Sequence, residues 1–414
     1  MAKDYRPRIA DKIIERKLKS VGAILIEGPK GCGKTTTGIH MSESVYKMQS
    51  PGGVERAEAD PTSILKGNVP RLIDEWQLHP PIWNTVRDEV DERGGEPGQF
   101  ILTGSSVPQE DGKRHSGAWR IARYTMFPMS LFESGDSSGA VSLKSLFDGT
   151  TEISGQSAHD LGGILSLIVR GGWPNLIGAD RGTVSDAMET YIDTIVEEDM
   201  PRVDGMSRDP DAVNAVLRSY ARNISSNTTM ETIVDDVSGF VGRSSVFTYV
   251  NELHRLFVLM DLPAWNPAIR SKATIRSGVK RQFVDPSVAA AVLHIDEDGM
   301  LTDFPMVGHL FESLCIRDLR IYAQSLRGRV YYYRDSNNLE MDAVVHLKDG
   351  RWGASEIKVG ESRVDEAVAN LKRFSETVDS ERMNPPSFLM VLISHGYAYV
   401  KDGVHVVPID CLRD

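Results

Sequence analysis

The sequence predicts an α/β fold, with an open parallel sheet first and a second α/β module at the C-terminal end. Three observations lead there. The apolar run Ala23–Glu27 ends in a glycine-rich turn and opens into a helical stretch, Thr35–Tyr46. Two further strand-length apolar runs, Arg71–Asp74 and Phe100–Thr103, are separated by helical stretches, as parallel crossovers require. From about Gly308 the pattern reads α-β-β-β-α-β, through Leu310–Ala323, Val330–Arg334, Glu340–Leu347, Trp352–Val359, Arg363–Thr377 and Phe388–Ser394.

Composition narrows the class. With 414 residues the chain is long enough for two or three domains. Its 41% hydrophobic and 25% charged residues exclude a collagen-like, disordered or disulfide-stapled chain. Lys and Arg number 47 against 58 Asp and Glu, a net charge of −11, which argues against non-specific nucleic-acid binding by the molecule as a whole. A local exception lies between Asn266 and Val284, where Arg270, Lys272, Arg276, Lys280 and Arg281 occur without an acid. Cys32, Cys315 and Cys411 are odd in number and lack zinc-ligand spacing, which suits a reducing cytoplasm. MAKDYRPRIADK has no apolar segment of signal-peptide type, and the longest apolar runs, such as Phe388–Ile393, are strand-length. A soluble cytoplasmic protein with no membrane span is expected.

Between the two sheets, residues from about Asp160 to Arg202 read as helical, interrupted at Gly171–Pro174 (GGWP), and suggest a small helical lid. Thr229–Val237 is a short helix, followed by a turn at Gly239–Gly242. Ser244–Phe257 then places Val246, Tyr249, Val250, Leu253, Leu256 and Phe257 on one stripe. Two helices, a tight turn, a short strand and a basic hairpin suggest a winged helix. Its recognition helix would present Ser244, Ser245, Thr248, Asn251 and Arg255, with Arg243 at its start and Glu252 as a charge that would repel phosphate.

The strongest motif is Gly28-Pro29-Lys30-Gly31-Cys32-Gly33-Lys34-Thr35, which fits GxxxxGK[ST] in full and stands between a strand and a helix. Glycines let backbone N–H groups wrap a phosphate, and the helix N-terminus faces the anion. ATP would lie against Gly28 through Thr36. Lys34 would neutralise the β- and γ-phosphates, and the Thr35 hydroxyl would ligate Mg²⁺. In Leu72-Ile73-Asp74-Glu75, Asp74 would hold the Mg²⁺ hydration shell and Glu75 would orient or deprotonate water. Ser105, just past the third strand, is a candidate for sensing the γ-phosphate. Arg114, Arg120 and Arg123 are candidate arginine fingers, in cis or from a neighbouring subunit, and Arg170, just before GGWP, would contact phosphate from the lid. Cys32 is a tolerated loop residue at a helix N-terminus, where a thiol becomes oxidation-sensitive.

A second constellation lies near the C-terminus. Glu356 and Lys358, two apart on a strand, share a face, and Asp342 can reach the same point from a neighbouring strand. These hard oxygen ligands, completed by Glu312, suit Mg²⁺ or Mn²⁺, while Lys358 would polarise a scissile phosphate or the attacking water. In an α-β-β-β-α-β order this is a nuclease signature.

GPKGCGKT, LIDEWQ, ILTGSS, RHSGAWRIAR with PMSLFESGDSSG, RGGWP, FVDPSVA, GHLFESL and MDAVV with SEIKVG occur in this order over nearly the whole chain. In these segments the chain resembles bacterial and archaeal AAA-superfamily P-loop ATPases, of actinobacterial flavour, that carry a C-terminal winged helix and a PD-(D/E)xK nuclease-like module. The resemblance implies ATP binding with hydrolysis and a nuclease-type fold at the end. It carries roles onto Gly28, Gly33, Lys34, Thr35, Asp74, Glu75 and Ser105, and onto Glu312, Asp342, Glu356 and Lys358. Arg120 falls at the family's glycine–arginine pair, with Trp119 in place of the usual glycine. The expected domains are an ATPase domain over 1–155, a helical lid over 156–206, a winged helix over 207–300 and the nuclease-like module over 301–414. The leading expectation is a Mg²⁺-dependent ATPase that binds or processes DNA. The competing one is an ATP-driven switch, acting on a protein partner or a second copy, whose nuclease-like module is inactive.

Overall fold

The computed structural model describes residues 5–106, 117–201, 208–266, 278–335, 339–378 and 383–414. The chain divides into two compact units. One comprises residues 1–128, 197–208 and 251–258; the other comprises 129–196, 209–250 and 259–414.

The first unit is built on a five-stranded parallel sheet of β1 (Ala23–Glu27), β2 (Ser44–Lys47), β3 (Arg71–Asp74), β4 (Phe100–Gly104) and β5 (Ile121–Thr125), in the order β2-β3-β4-β1-β5. Its central strands β3, β4 and β1 are buried along nearly their whole length, as a parallel sheet covered by helices on both faces requires. Leu25, Ile73 and Leu102 pack with Trp76, Trp83, Val86 and Val90 in one buried cluster. Each such side chain contributes about 1.5–3 kcal/mol by leaving water. The helix expected over Thr35–Tyr46 stops at His40, and Ser44–Lys47 forms the edge strand β2 instead. Val45 and Tyr46 belong to that strand, where alternation of half-buried and exposed positions replaces the helical stripe. Ile121–Thr125 pairs with β1 as β5, a strand hidden from composition by Arg123.

The second unit holds a seven-stranded sheet. Its members are β7 (Gly155–Gln156), β10 (Gly328–Arg334), β11 (Glu340–Leu347), β12 (Trp352–Lys358), β13 (Phe388–Ile393), β14 (Tyr397–Lys401) and β15 (Val404–Pro408), in the order β10-β11-β12-β13-β15-β14-β7. Helix Phe304–Ser325 precedes this sheet and helix Val364–Thr377 lies between β12 and β13, so the α-β-β-β-α-β order is present. Trp265, Trp352, Phe374, Val391 and Val406 lie in its buried core. Two small pairs accompany it: β6 (Val141–Ser142) with β16 (Leu412–Arg413), and β8 (Leu262–Pro263) with β9 (Val279–Lys280).

The polar break at Ser154–Gln156, where the ATPase domain was expected to end, contains β7, which pairs with β14 inside the second unit. Helices Leu161–Arg170 and Arg181–Asp193, expected as a lid, pack against helix Pro286–Leu293 in the same unit. Helices Pro210–Arg222, Met230–Asp236 and Arg243–Arg255 precede the β8–β9 ribbon, and the whole predicted stripe from Val246 to Phe257 is buried. Among the described residues no helix is long and apolar enough to cross a membrane.

Candidate functional site

The phosphate loop runs from β1 into helix Lys34–His40, at the C-terminal edge of the parallel sheet, where ligands bind in open α/β folds. Close packing explains its first glycine: a Cβ at Gly28 would lie 2.2 Å from the Met126 carbonyl oxygen. Arg8, buried, donates to the Cys32 carbonyl at 2.9 Å and to the Phe127 carbonyl at 2.9 Å, and so clasps the loop from behind. The Lys34 ammonium donates to the Gly28 and Pro29 carbonyls at 2.9 and 2.8 Å, folded back over the loop it would leave to meet a phosphate. Lys30 is drawn aside to Asp199 at 2.8 Å. Thr36 is exposed on the first helical turn. The Cys32 thiol is buried and donates to the Met126 carbonyl, so the oxidation sensitivity expected of it lacks solvent access.

The ends of β3 and β4 meet this loop and its helix. Thr35 Oγ1 donates to Asp74 Oδ1 at 2.7 Å, and Thr103 Oγ1 donates to the same oxygen at 2.6 Å. The Glu75 backbone N–H donates to Thr103 Oγ1 at 3.2 Å. Glu75 itself has a φ of 59°, a left-handed conformation that costs a non-glycine residue energy and recurs at functional sites. Its carboxylate accepts from Ser105 Oγ at 3.2 Å and from Gln77 Nε2, which also donates to Ser105 Oγ at 3.2 Å. The structure thus brings Lys34, Thr35, Asp74, Glu75 and Ser105 to one edge. A hydroxyl and a carboxylate side by side form the hard-oxygen donor set that Mg²⁺ with a nucleotide requires, and these residues fit it.

Within the first unit, Arg120 and Arg123 are not brought to this edge. Arg120 precedes β5, and its carbonyl accepts from Ala23 N–H at 2.9 Å, at the start of β1. The phosphate loop leaves the other end of β1, about 13 Å away at 3.3 Å per residue. The Arg120 guanidinium is exposed and paired with Asp91 at 2.9 Å. Arg123 lies over the Trp83 ring, and Arg170 is held by Asp136 at 2.7 Å in the second unit. Arg114 lies outside the described residues. Sequence reading missed Thr103, Gln77 and Arg8. Thr103 was findable as the polar end of β4, whereas nothing in the sequence points to Arg8.

The four C-terminal residues also converge. Glu312 on helix Phe304–Ser325, Asp342 on β11, and Glu356 and Lys358 on β12 line a cavity of about 440 Å³ in the second unit, with Arg334 and Arg373. Lys358 contacts Glu356 at 2.6 Å and Asp342 at 3.9 Å. Burial pushes the Glu356 carboxyl up, against the pull of Lys358. A residue expected elsewhere completes the cluster. Lys280 on β9, 2% exposed, places its ammonium 2.7 Å from Glu312, 2.9 Å from Glu340 and 3.4 Å from Asp342. Burial alone would lower its pKa; the three carboxylates outweigh that and raise it, so Lys280 is charged. Burial likewise pushes the Glu312 carboxyl up, against the pull of Lys280. Among the described residues no group of three or more His, Cys, Asp or Glu could hold a metal ion. With an ammonium among the carboxylates, these residues do not fit the divalent cation expected at Glu312, Asp342 and Glu356.

The basic island resolves in the same way. Lys280 and Arg281 point inward, Arg281 to Asp261 at 2.8 Å, while Arg270, Lys272 and Arg276 lie outside the described residues. Glu252, expected to repel phosphate, is buried and paired with Arg208 at 2.5 Å.

Residues 163–299 match the profile of a domain of unknown function (DUF8612), and residues 307–412 that of another (DUF4143). No curated protein matches the chain. Among solved structures, the Walker-type ATPase PABY2304 of Pyrococcus abyssi is 13% identical, with a TM-score of 0.41, over 71% of this chain and 97% of its own. A replication initiator DnaA bound to AMPPCP and single-stranded DNA is 11% identical, with a TM-score of 0.28, over 61% of this chain and 90% of its own. AMPPCP-bound DnaA from Aquifex aeolicus is 13% identical, with a TM-score of 0.24, over 61% and 89%. Residues 20–134, which hold the phosphate loop, Asp74, Glu75 and Ser105, match the profile of an AAA domain, and the parallel sheet with its phosphate loop has the P-loop fold.

Proposed function

We propose that the chain hydrolyses ATP with Mg²⁺ in its first unit. The observation that carries this is the Glu75 carboxylate, held by Ser105 and Gln77 on the strand end next to the Thr35–Asp74 pair. Lys34 and the loop backbone from Gly28 would bind the phosphates, and Thr35 and Asp74 would hold Mg²⁺, which neutralises charge on the β- and γ-phosphates. Glu75 would orient and deprotonate water, with Ser105 and Gln77 fixing its carboxylate. Arg120 would act as a finger only toward a neighbouring copy. Glu75→Gln is expected to lower phosphate release by about a hundredfold or more while ATP still binds, and Lys34→Ala to weaken binding itself. Phosphate release and fluorescent-nucleotide titration separate the two effects. Glu75→Gln at full activity would overturn the assignment.

The second unit is read as a winged helix and a PD-(D/E)xK-like module that contact DNA. Exposed Ser244 and Thr248 on helix Arg243–Arg255, and Arg334 and Arg373 at the acidic cavity, support this. The position of Lys280 favours the second reading, an ATP-driven switch whose nuclease-like module cuts nothing. Hydrolysis stimulated by DNA supports the first reading, and hydrolysis indifferent to DNA supports the second.

A further inference from the structure

Four carboxylates that converge in a cavity repel one another and need a counter-charge. Here the chain supplies it. Glu312, Glu340, Asp342 and Glu356 are met by two ammonium groups, Lys280 and Lys358. The two lysines differ in kind. Lys358 shares β12 with Glu356. Lys280 is brought in from β9, far from the cluster in sequence, and touches three acids on two other elements. Its position is held on both sides. Val279 and Lys280 pair with β8. The Arg281 backbone N–H donates to the Ser226 carbonyl at 2.8 Å, and its guanidinium to Asp261 at 2.8 Å. The Gln282 backbone N–H donates to Asp261 at 3.1 Å. The lysine is therefore built into the fold and does not reach in from a mobile chain.

We infer that Lys280 is the resident cation of this cluster and occupies the position a divalent ion would take, so that the module as folded holds neither Mg²⁺ nor Mn²⁺. A divalent ion bound by Glu312 and Asp342 would share both ligands with the ammonium, and the repulsion between the two cations at such distances exceeds what the remaining carboxylate oxygens return. The inference goes beyond the ATPase reading and holds whether or not ATP is hydrolysed.

The test is Mn²⁺ titration of the full chain without nucleotide, followed by electron paramagnetic resonance of the free ion. Wild type is expected to show no Mn²⁺ site that Asp342→Asn removes. Lys280→Met keeps an unbranched apolar stem and deletes the charge. It is expected to gain one site per chain, at least about tenfold tighter than any in wild type, and to lose it when Asp342→Asn is added. An Asp342-dependent Mn²⁺ site in wild type overturns the inference, as does a folded Lys280→Met that gains none. If Lys280→Met does not fold, the pair of wild type and Asp342→Asn decides alone: equal titrations support a resident lysine, and a site lost in Asp342→Asn refutes it.

Discussion

At the scale of single residues, the nucleotide edge depends on groups one step behind those a motif names. Asp74 is aimed by two hydroxyls on the same oxygen, Thr35 and Thr103. Only Thr35 belongs to the phosphate-loop pattern. Thr103 also accepts the backbone N–H of Glu75, so one buried hydroxyl positions both acids. Thr103→Val keeps the shape and removes these bonds. A hydrogen bond to a charged group contributes about 1.5–3 kcal/mol. If that loss falls on orientation of the acids, turnover drops by about tenfold or more, with ATP affinity changed by less than about threefold. Thr103→Ser should restore the rate, a rescue that a purely packing role would not give. Equal activity in Thr103→Val would mean that the loop alone orients Asp74.

At the scale of elements, several segments that looked like signatures are joined in one buried network. Gly172 N–H donates to Asp285 at 3.0 Å, the Gly172 carbonyl accepts from Met129 N–H at 2.6 Å, and Trp173 Nε1 donates to Ser287 at 2.9 Å. A Cβ at Gly172 would meet the Met129 carbonyl oxygen at 2.1 Å, so only glycine fits there. Arg317 pairs with Asp285 at 2.9 Å and with Asp318 at 2.7 Å, and Asp318 accepts from the Leu131 N–H at 2.9 Å. PMSLFE, RGGWP, FVDPS and the helix Phe304–Ser325 thus meet at one fully buried guanidinium. These segments pack together in the second unit, where Arg170 also pairs with Asp136. Arg317→Met would leave two buried carboxylates without their partner. A loss of about 3–5 kcal/mol in denaturant unfolding is expected. A change below about 1 kcal/mol would mean that the network is not needed for stability.

At the scale of the whole molecule, the first unit is discontinuous in sequence. It takes in residues 197–208 and 251–258, which bring Asp199 to Lys30 and Arg208 to Glu252 and include the buried Leu253, Leu256, Phe257 and Val258. A fragment ending at residue 155 lacks these segments. Each missing apolar side chain forfeits about 1.5–3 kcal/mol of burial. The fragment is expected to bind an apolar dye and to unfold at lower denaturant than the full chain, and a monodisperse fragment of equal stability would refute the discontinuous unit. Reading the sequence reached the phosphate loop, Asp74 and Glu75, the strands β1, β3 and β4, and the α-β-β-β-α-β order, because these depend on local periodicity and on residues adjacent in the chain. It did not reach the partner of a charge. Glu252, Lys280 and Arg281 read as surface groups until the fold buried each against an opposite charge. Nor could it place Arg120, which sits beside the right motif but at the wrong end of β5. Burial and counter-charge are set by contacts between segments distant in sequence, so whether four converging acids make a metal site or a lysine site was decided only by the tertiary structure.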